Sequence, residues 1–352
     1  RSGHRLARKA NQIIEEARER AADLFGCTDP KKCLFFPNAT VAINQAIKGL
    51  PWQAGDHVIT TSLEHNSIRR PLEYLKKTQQ INISYIDWQG EEAIFIQSVK
   101  DAIREETKLI AMTHASNVTG DVLPLQAVLD LAYEHDIFTL VDASQTAGHI
   151  PLHMKDQHIN LLIFPGHKGL LGPQGTGMLL VEGDIDLEPI HHGGTGILSE
   201  LIDQPEQWPE RYESGTLNTA GIAGLSEALK LYQERMKQNV SRETILTFEL
   251  KKALHRIDGV TIYGHQPLDM GPIPIVAFNI KHISSQEIAT ILDSHYDIAV
   301  RAGLHCNPLQ HASLNTTEQG VVRASLSLYN TENEIETFIR AIHDIVNVYN
   351  TI

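Results

Sequence analysis

The sequence has little of what several protein classes depend on. Only 3 of its 352 residues are cysteine, and its formal net charge is −13. Three thiols are too few for a disulfide framework, so we expect a reducing, cytoplasmic setting. The acidic balance lacks the basic surface that nucleic-acid binding needs. No apolar run reaches the length of a membrane span, and no signal-peptide pattern precedes the first predicted helix, so we expect no membrane partner.

Short apolar runs alternate with amphipathic helices along much of the chain. Runs such as His57–Thr61, Leu109–Thr113 and Ile137–Asp142 predict the strands of a mainly parallel α/β sheet that helices cover on both faces. A length of 352 residues allows two domains. We predict a large domain over residues 1–228 and a smaller α+β domain over residues 229–352, where the predicted helices become longer.

Five polar residues come directly after predicted strands: Asn38, His65, Asn117, Asp142 and Lys168. The ligands of open α/β sheets bind at the carboxyl ends of the strands. The shared placement therefore predicts that these residues meet at one site, and it is stronger evidence than any one of them gives alone.

Lys168 and Asp142 indicate the chemistry of that site. A lysine amine can form a Schiff base with an aldehyde, and a carboxylate can hold a protonated pyridine nitrogen, so the two together predict a site for pyridoxal 5'-phosphate. Lys168 stands in the sequence Phe-Pro-Gly-His-Lys-Gly, where the glycines let a ligand approach the backbone. The alternatives are a surface lysine in a loop and, for Asp142, a helix N-cap.

Three further residues are placed to contact such a cofactor. His65 could stack on the pyridine ring and exchange protons near neutral pH, although a structural histidine is the commoner case. Gln145 follows Asp142 by three positions and could reach the phenolic oxygen of the ring. Asn117 lies at the end of its strand in the same way, and its alternative is a turn residue before Gly120.

A predicted helix start offers a place for the phosphate group. Ala39 and Thr40 begin this helix, and the free N–H groups of a helix start favour an anion. A plain N-cap has the same sequence signal, so the motif gains its value from the other residues. His167, next to Lys168, could donate to a phosphate oxygen.

The last of the three cysteines has a setting that suits a nucleophile. Cys306 lies in a loop between Gly303 and Pro308, flanked by Arg301 and His305, two residues that would favour the thiolate. The alternative is a small buried hydrophobic residue, which is the usual role of a lone cysteine. The remaining two cysteines lack such neighbours and are predicted to be structural.

Arg323 lies on a predicted strand between Val322 and Ala324. An unpaired guanidinium is costly in such apolar surroundings. Its planar fork suits bidentate capture of a carboxylate, such as that of an amino-acid substrate. The alternative is an internal salt bridge.

Taken together, these segments resemble the class V, fold-type I pyridoxal phosphate enzymes, and among them the cysteine desulfurases related to selenocysteine lyases. The resemblance covers nearly the whole chain. It matches the SUF-type subgroup, in which proline shortly follows a His-Cys pair. The segments that carry it are Glu64-His65-Asn66, Ser116-Asn117-Val118-Thr119-Gly120, Val141-Asp142-Ala143-Ser144-Gln145, Gly166-His167-Lys168, Glu213-Ser214-Gly215-Thr216-Leu217-Asn218 and Arg301-Ala302-Gly303-Leu304-His305-Cys306.

The resemblance implies a role for each cofactor residue. Lys168 would form the Schiff base, Asp142 would pair with the pyridinium nitrogen and His65 would stack on the ring. Gln145 and Asn117 would contact the phenolic oxygen or the substrate. The phosphate would be held by Thr40 and His167, joined by Thr216 of a second subunit, which implies a homodimer.

It also implies a reaction. L-cysteine, or L-selenocysteine, would bind through Arg323 with Arg301 nearby, and Cys306 would take the sulfur as a persulfide for a protein or small-thiol acceptor. Two features depart from the family: Pro165 replaces the usual serine, which removes one phosphate hydrogen bond, and the family's Asp-Asn-Ala-Ala-Thr segment would precede the start of this sequence.

Several rival functions stay open on the sequence alone. A selenocysteine lyase or a class V aminotransferase would use the same fold, although an aminotransferase has no use for the Cys306 thiol. A catalytically silent cofactor-binding scaffold would need neither Lys168 nor Asp142. A metal or redox role for His305 and Cys306 would lack enough ligands, and no metal site is predicted.

Overall fold

The computed structural model describes residues 3–235, 242–265, 271 and 273–349. The described residues form two sheets with helices packed on them. Among them, no helix combines the length and the apolar character needed to cross a bilayer. The helices are α1 Arg5–Phe25, α2 Ala39–Gly49, α3 Asn66–Thr78, α4 Glu92–Ala102, α5 Leu125–Glu134, α6 Met154–Gln157, α7 Thr219–Arg235, α8 Arg242–His255, α9 Ser285–Tyr296, α10 Pro308–Ser313 and α11 Glu332–Tyr349.

The larger sheet has seven strands in the order β1-β7-β6-β5-β4-β2-β3. Only β7 runs against the others, because it pairs antiparallel with both β6 and β1. The prediction of a mainly parallel α/β sheet is therefore confirmed. The strands are β1 Cys33–Phe36, β2 His57–Thr61, β3 Asn82–Ile86, β4 Thr107–Thr113, β5 Phe138–Asp142, β6 Leu161–Pro165 and β7 Gly177–Val181.

Three of the inner strands of this sheet are buried along their whole length. Every residue of β2, β6 and β7 is buried, because a separate apolar core fills the space on each face of the sheet. A strand that is covered on both faces reads as a continuous apolar run rather than an alternating one. The polar residues inside the inner strands are mainly buried threonines such as Thr60 and Thr139, and charged side chains stand near the strand ends or in the loops.

The helix boundaries follow local capping chemistry. The first helix begins earlier than its apolar stripe suggests, at Arg5, because the His4 side chain accepts a hydrogen bond from the Ala7 N–H. It ends where Gly26 adopts a left-handed conformation with φ of 66° and returns its N–H to the Ala22 carbonyl. The second helix begins at Ala39 under the Asn38 cap, whose Oδ1 accepts from the Val41 N–H at 3.0 Å.

The smaller sheet is antiparallel throughout, in the order β10-β11-β9-β8. Helices α8, α9 and α11 pack on it around a core of their own. The predicted division at residue 229 falls inside α7, and Leu229 and Tyr232 of that helix belong to a core of the larger sheet. By this packing, α7 belongs with the larger sheet up to the end of the helix. The strands are β8 Val260–Tyr263, β9 Ile275–Ile280, β10 Arg301–Gly303 and β11 Val321–Ser325.

A buried ion pair ties α1 to the loop that precedes α7. The Arg18 guanidinium is 1% exposed and donates in bidentate fashion to the Glu213 carboxylate, with Nη1 at 2.9 Å from Oε1. Glu213 also accepts from the Phe35 N–H at 2.7 Å, and Arg18 donates to the Cys33 carbonyl. The pair therefore fixes α1, β1 and the loop relative to one another.

Removing the Glu213 carboxylate should leave the buried Arg18 guanidinium with only the exposed Glu15, 3.5 Å from its Nε, as an acidic neighbour among the described residues. We expect Glu213→Ala to lower the free energy of unfolding by about 3–5 kcal/mol, measured by urea denaturation. The matched control is Glu227→Ala, which removes an exposed glutamate 3.4 Å from Arg20 and should cost less than about 1 kcal/mol. Equal losses in the two variants would show that the buried pair does not anchor this region.

Candidate active site

A cavity of about 390 Å³ opens where the carboxyl ends of the parallel strands face the smaller sheet. This volume suits a small cofactor together with a small substrate. The lining includes seven of the residues predicted from the sequence: His65, Asn117, Gln145, His167, Lys168, Arg301 and Arg323. Residues that are up to 258 positions apart in the chain, from His65 to Arg323, thus meet at one place.

Lys168 and Asp142 lie close enough to interact. Asp142 is the last residue of β5 and is 3% exposed, and its Oδ1 accepts from the Ser144 N–H at 2.9 Å. Lys168 is exposed to solvent through the cavity that it lines. Desolvation by the surrounding protein lowers the pKa of Lys168, the charges of Arg323 and Arg301 act in the same direction, and Asp142 opposes them. A lysine of lowered pKa is a better nucleophile and base at neutral pH.

His65 is held in one orientation by its own helix. It caps α3, and its Nδ1 accepts from the Ser67 N–H at 3.1 Å and lies 2.7 Å from the Ser67 hydroxyl. That hydroxyl lies 2.8 Å from the Thr40 hydroxyl. Since Nδ1 accepts, the ring proton of the neutral imidazole lies on Nε2. Burial lowers the pKa of His65, with Asp142 acting in the opposite direction.

The residues predicted to hold the phosphate are placed in different ways. His167 lines the cavity, and partial burial and the Lys168 charge lower its pKa. Ala39 and Thr40 form the first turn of α2, and Thr40 connects to the cavity wall through Ser67 and His65. Pro165 ends β6 opposite Gly177.

Thr216 is exposed and lines a second cavity of about 370 Å³ instead. Within this single chain it is therefore separate from the group around Lys168. Its predicted contact with the phosphate of a neighbouring subunit stays a prediction.

The loop that carries Cys306 is pinned to the larger sheet. Cys306 is exposed, and its carbonyl accepts from the Asn66 N–H at 2.9 Å. The His305 carbonyl accepts from Asn117 Nδ2 at 2.7 Å. Both His305 and Cys306 adopt positive φ angles, 48° and 61°, a conformation that costs free energy in non-glycine residues and persists where the surroundings enforce it.

The charges next to Cys306 differ from the sequence expectation in one respect. Arg301 Nη2 lies 3.9 Å from Cys306 Sγ, so a guanidinium is placed to stabilise negative charge on the sulfur. The expectation that His305 would do the same is wrong. Its Nε2 is bound to the Val321 carbonyl at 3.0 Å, and burial lowers its pKa to about 4, so the ring is neutral.

Arg323 faces Arg301 across the pair of strands β11 and β10. Its Nη1 donates to the Asn117 carbonyl at 2.7 Å, and no salt bridge of Arg323 to a carboxylate occurs within the described ranges. Burial, reinforced by the Arg301 charge, lowers the pKa of Arg323 to about 10. The internal salt bridge considered from the sequence is therefore not what holds this residue.

Three buried atoms of these site residues have no hydrogen-bond partner among the described residues: Arg323 Nε, Asn117 Oδ1 and His305 Nδ1. Unsatisfied buried polar atoms are rare in proteins and call for a specific explanation. A free guanidinium donor suits a carboxylate, and Lys168 with two arginines suits an anionic cofactor. The residues present therefore fit pyridoxal phosphate and an amino-acid substrate.

Glu64 is a buried acid that the sequence interpretation passed over. It is fully buried, and its carboxyl group accepts from the Thr61 hydroxyl at 2.7 Å and the Thr113 N–H at 2.9 Å. Burial raises its pKa to about 8, and the neighbouring Asp142 charge adds to the rise. Its place directly before His65 was the only signal of a role in the site.

A raised pKa in the folded state makes stability depend on pH. The contribution of protonated Glu64 is complete below the ordinary value of 4.5 and is lost as the pH rises toward about 8. We expect the free energy of unfolding to fall by about 2–4 kcal/mol more in the wild type than in Glu64→Gln between pH 5 and pH 8. Urea denaturation at each pH measures the difference.

Glu249→Gln serves as the control, since Glu249 is an exposed residue of α8. Its stability should follow the wild-type pH curve. Parallel curves for Glu64→Gln and the wild type would mean that Glu64 is ionised in the folded protein at neutral pH.

Comparison with known proteins identifies the family. The family model described as Aminotransferase class-V matches residues 1–338. A probable cysteine desulfurase of Methanothermobacter thermautotrophicus is 31% identical over 99% of this chain and 87% of its own length. The apo structure of a cysteine desulfurase from Thermococcus onnurineus NA1 superposes with a TM-score of 0.91 at 30% identity, covering 99% and 87% of the two chains.

A third match, a C-DES variant with glycine covalently linked to its PLP cofactor, shares the fold with a TM-score of 0.80 at 23% identity, over 96% of this chain and 87% of that one. In this chain Lys168 lines the cavity and interacts electrostatically with Asp142. The chain belongs to the class-V aminotransferase family of pyridoxal phosphate enzymes, and within it to the cysteine desulfurases.

Proposed function

We propose that this protein converts L-cysteine to L-alanine and takes the sulfur as a persulfide on Cys306. The observation that carries the proposal is the exposed Cys306 thiol, which lies 3.9 Å from Arg301, a residue that lines the same cavity as Lys168. A class-V enzyme that only moves amino groups has no use for a thiol in this position. The similarity to cysteine desulfurases supports the same reaction.

The cavity residues divide the acid and base work between them. Pyridoxal phosphate, when bound, supplies an aldehyde that condenses with amines and a ring that withdraws electrons from the substrate α-carbon. Lys168 would hold the cofactor and, as a free amine of lowered pKa, would remove the α-proton. Asp142 would keep the proton on the ring nitrogen, and His65 Nε2 presents an N–H at the cavity wall.

The two arginines orient the substrate. Arg323 keeps its Nη1 on the Asn117 carbonyl and has a free Nε for a carboxylate oxygen. Arg301 lies opposite Arg323 on the neighbouring strand. Since it is also close to the Cys306 sulfur, it could interact with the substrate carboxylate and with the thiolate. Fixing the carboxylate in this way points the side chain of a small amino acid toward the thiol loop.

The sulfur transfer is balanced without an added oxidant or reductant. The Cys306 thiolate bonds to the substrate sulfur as the bond between the β-carbon and that sulfur breaks. The electron pair of the broken bond stays with the carbon, which takes up a proton and becomes the methyl group of alanine. The enzyme keeps the sulfur as a persulfide on Cys306 and passes it to the thiol of a protein or small molecule.

The proposal extends to the assembly and its setting. A homodimer would let exposed Thr216 of one subunit reach the phosphate held by the other, because Thr216 and its cavity lie apart from Lys168 within one chain. We propose a cytoplasmic location because the sequence contains only 3 cysteines.

Replacing Lys168 tests the cofactor attachment. The purified wild type should absorb visible light through its lysine-bound cofactor, and Lys168→Ala should lose that absorption and all release of alanine from cysteine. Lys155→Ala, which changes an exposed lysine of α6, should keep both. A colourless wild type supplied with pyridoxal phosphate would refute the proposed function.

Replacing Cys306 separates cofactor chemistry from sulfur transfer. Cys306→Ala should retain the visible absorption and lose at least about 100-fold in sulfide release from cysteine under reducing conditions, since the nucleophile itself is gone. Cys27→Ala, a change at a buried thiol, should keep the release. Sulfide release at the wild-type rate from Cys306→Ala would place the nucleophile elsewhere, and a parallel assay with selenocysteine would compare the two substrates.

A further inference from the structure

A buried polar cluster lies beneath the Cys306 loop, at the start of α10. Asn307 caps this helix and is fully buried, and Gln310 is 3% exposed. Burying two carboxamides is costly unless their hydrogen bonds are made. Their partners therefore show what the cluster holds together.

Gln310 bridges the Cys306 loop and the loop that carries Asn117. Its Oε1 accepts from the Ser116 hydroxyl at 2.6 Å and from Asn307 Nδ2 at 3.2 Å. Its Nε2 donates to the Thr119 hydroxyl oxygen at 3.0 Å. Two of these three hydrogen bonds, those to Ser116 and Thr119, join the two loops across 194 and 191 positions of sequence.

The direction of these bonds makes the amide specific. The Thr119 hydroxyl donates its proton to Asp121 Oδ2 at 2.9 Å, so toward Gln310 it can only accept. A carboxylate at position 310 would set oxygen against oxygen there, and an apolar side chain would leave Ser116 without its acceptor. An amide is the group that satisfies both neighbours.

Asn307 extends the connection to the loop of His65. Its Nδ2 also donates to the Leu63 carbonyl at 2.7 Å, and the Asn66 N–H is bound to the Cys306 carbonyl. The strained backbone at positions 305 and 306 is therefore fixed against the two loops that carry His65 and Asn117. Strain of this kind persists only where the surroundings enforce it.

We propose that Gln310 is a positioning residue for sulfur transfer: it holds the Cys306 thiol in register with the Asn117 and His65 loops, so that the sulfur of the bound substrate lies within reach. The proposal rests on the proposed function. Gln310 itself does not line the cavity described above, so it acts through the backbone of the Cys306 loop. A displacement of about 1 Å at a reacting atom is enough to cost about 100-fold in rate.

The test uses the holoenzyme and three variants. Gln310→Met keeps the length of the side chain and removes all three hydrogen bonds, whereas Gln310→Glu keeps the acceptor and removes the donor. Gln126→Met is the matched control, because Gln126 is an exposed residue of α5. The measurements are the visible absorption, the rate at which cysteine forms the persulfide on Cys306 followed by mass spectrometry, and kcat and KM for sulfide release.

We expect Gln310→Met and Gln310→Glu to keep the absorption and the KM for cysteine, and to form the persulfide about 10- to 100-fold more slowly. The control should match the wild type in every measurement. A purely structural role would instead lower cofactor content and persulfide rate together. Persulfide formation at the wild-type rate in folded Gln310→Met would overturn the proposal.

Two further measurements keep the outcomes distinct. Hydrogen exchange in the peptide that contains Cys306 should be at least about 10-fold faster in Gln310→Met, because the backbone hydrogen bonds of that peptide would open more easily. Unchanged exchange would contradict the inference, whichever reaction the enzyme catalyses. If Gln310→Met does not fold, Thr119→Val removes the acceptor of Gln310 Nε2 together with the hydrogen bond from Thr119 to Asp121. A wild-type persulfide rate in that variant would also count against the proposal. A wild type that forms no persulfide on Cys306 would refute the proposed function instead.

Discussion

The parallel pairing of β2, β4, β5 and β6 is the constraint on which the site depends. The register sets Thr113 opposite Asp142 and Asp142 opposite Ile163, so the strand ends lie at one edge. Helices cover both faces of these strands, so the polar residues inside them are mainly buried threonines such as Thr60 and Thr139, and the charged residues stand near the strand ends. Charged and hydrogen-bonding groups therefore collect at the edge, where they can act on a common ligand.

The smaller sheet adds two guanidinium groups to the lysine at this edge. Antiparallel pairing sets Arg301 opposite Arg323, and two guanidinium groups so close repel each other, which helps to lower the pKa of Arg323 to about 10. The positions are maintained by the fold rather than by a counter-ion, since Arg323 donates to a carbonyl. Binding of a substrate carboxylate would relieve the repulsion between the two guanidinium groups. The arrangement therefore favours anionic substrates.

Much of this arrangement could be predicted from the sequence, because strand ends leave local signals. An apolar run followed by a polar residue marked His65, Asn117 and Asp142, and glycines marked the Lys168 loop. The state of His305 could not be predicted, because its neutrality comes from burial and from a bond to Val321 on another strand. The motif that contains Thr216 is visible in the sequence, but the position of Thr216 relative to Lys168 could not be predicted, because its predicted partner is another subunit.

Gln310 was missed for a related reason. Its partners Ser116 and Thr119 are 194 and 191 positions away in the sequence, and no local pattern indicates contacts of that range. The same holds for Glu64, whose raised pKa depends on complete burial and on the nearby Asp142. Local sequence patterns thus predict which residues lie at the site. Long-range packing determines their protonation states and the hydrogen bonds that hold them in place.

The two acids at this edge divide their roles by environment. Glu64, with its pKa near 8, is protonated at neutral pH, in part because of the charge on Asp142. Asp142 attracts Lys168 and thereby raises its pKa, against the effects of burial and the two arginines. When Asp142 pairs with another cation, that attraction is cancelled and the remaining influences all lower the pKa of Lys168. A pyridinium at Asp142 would therefore favour the free lysine amine, which is the form that removes a proton.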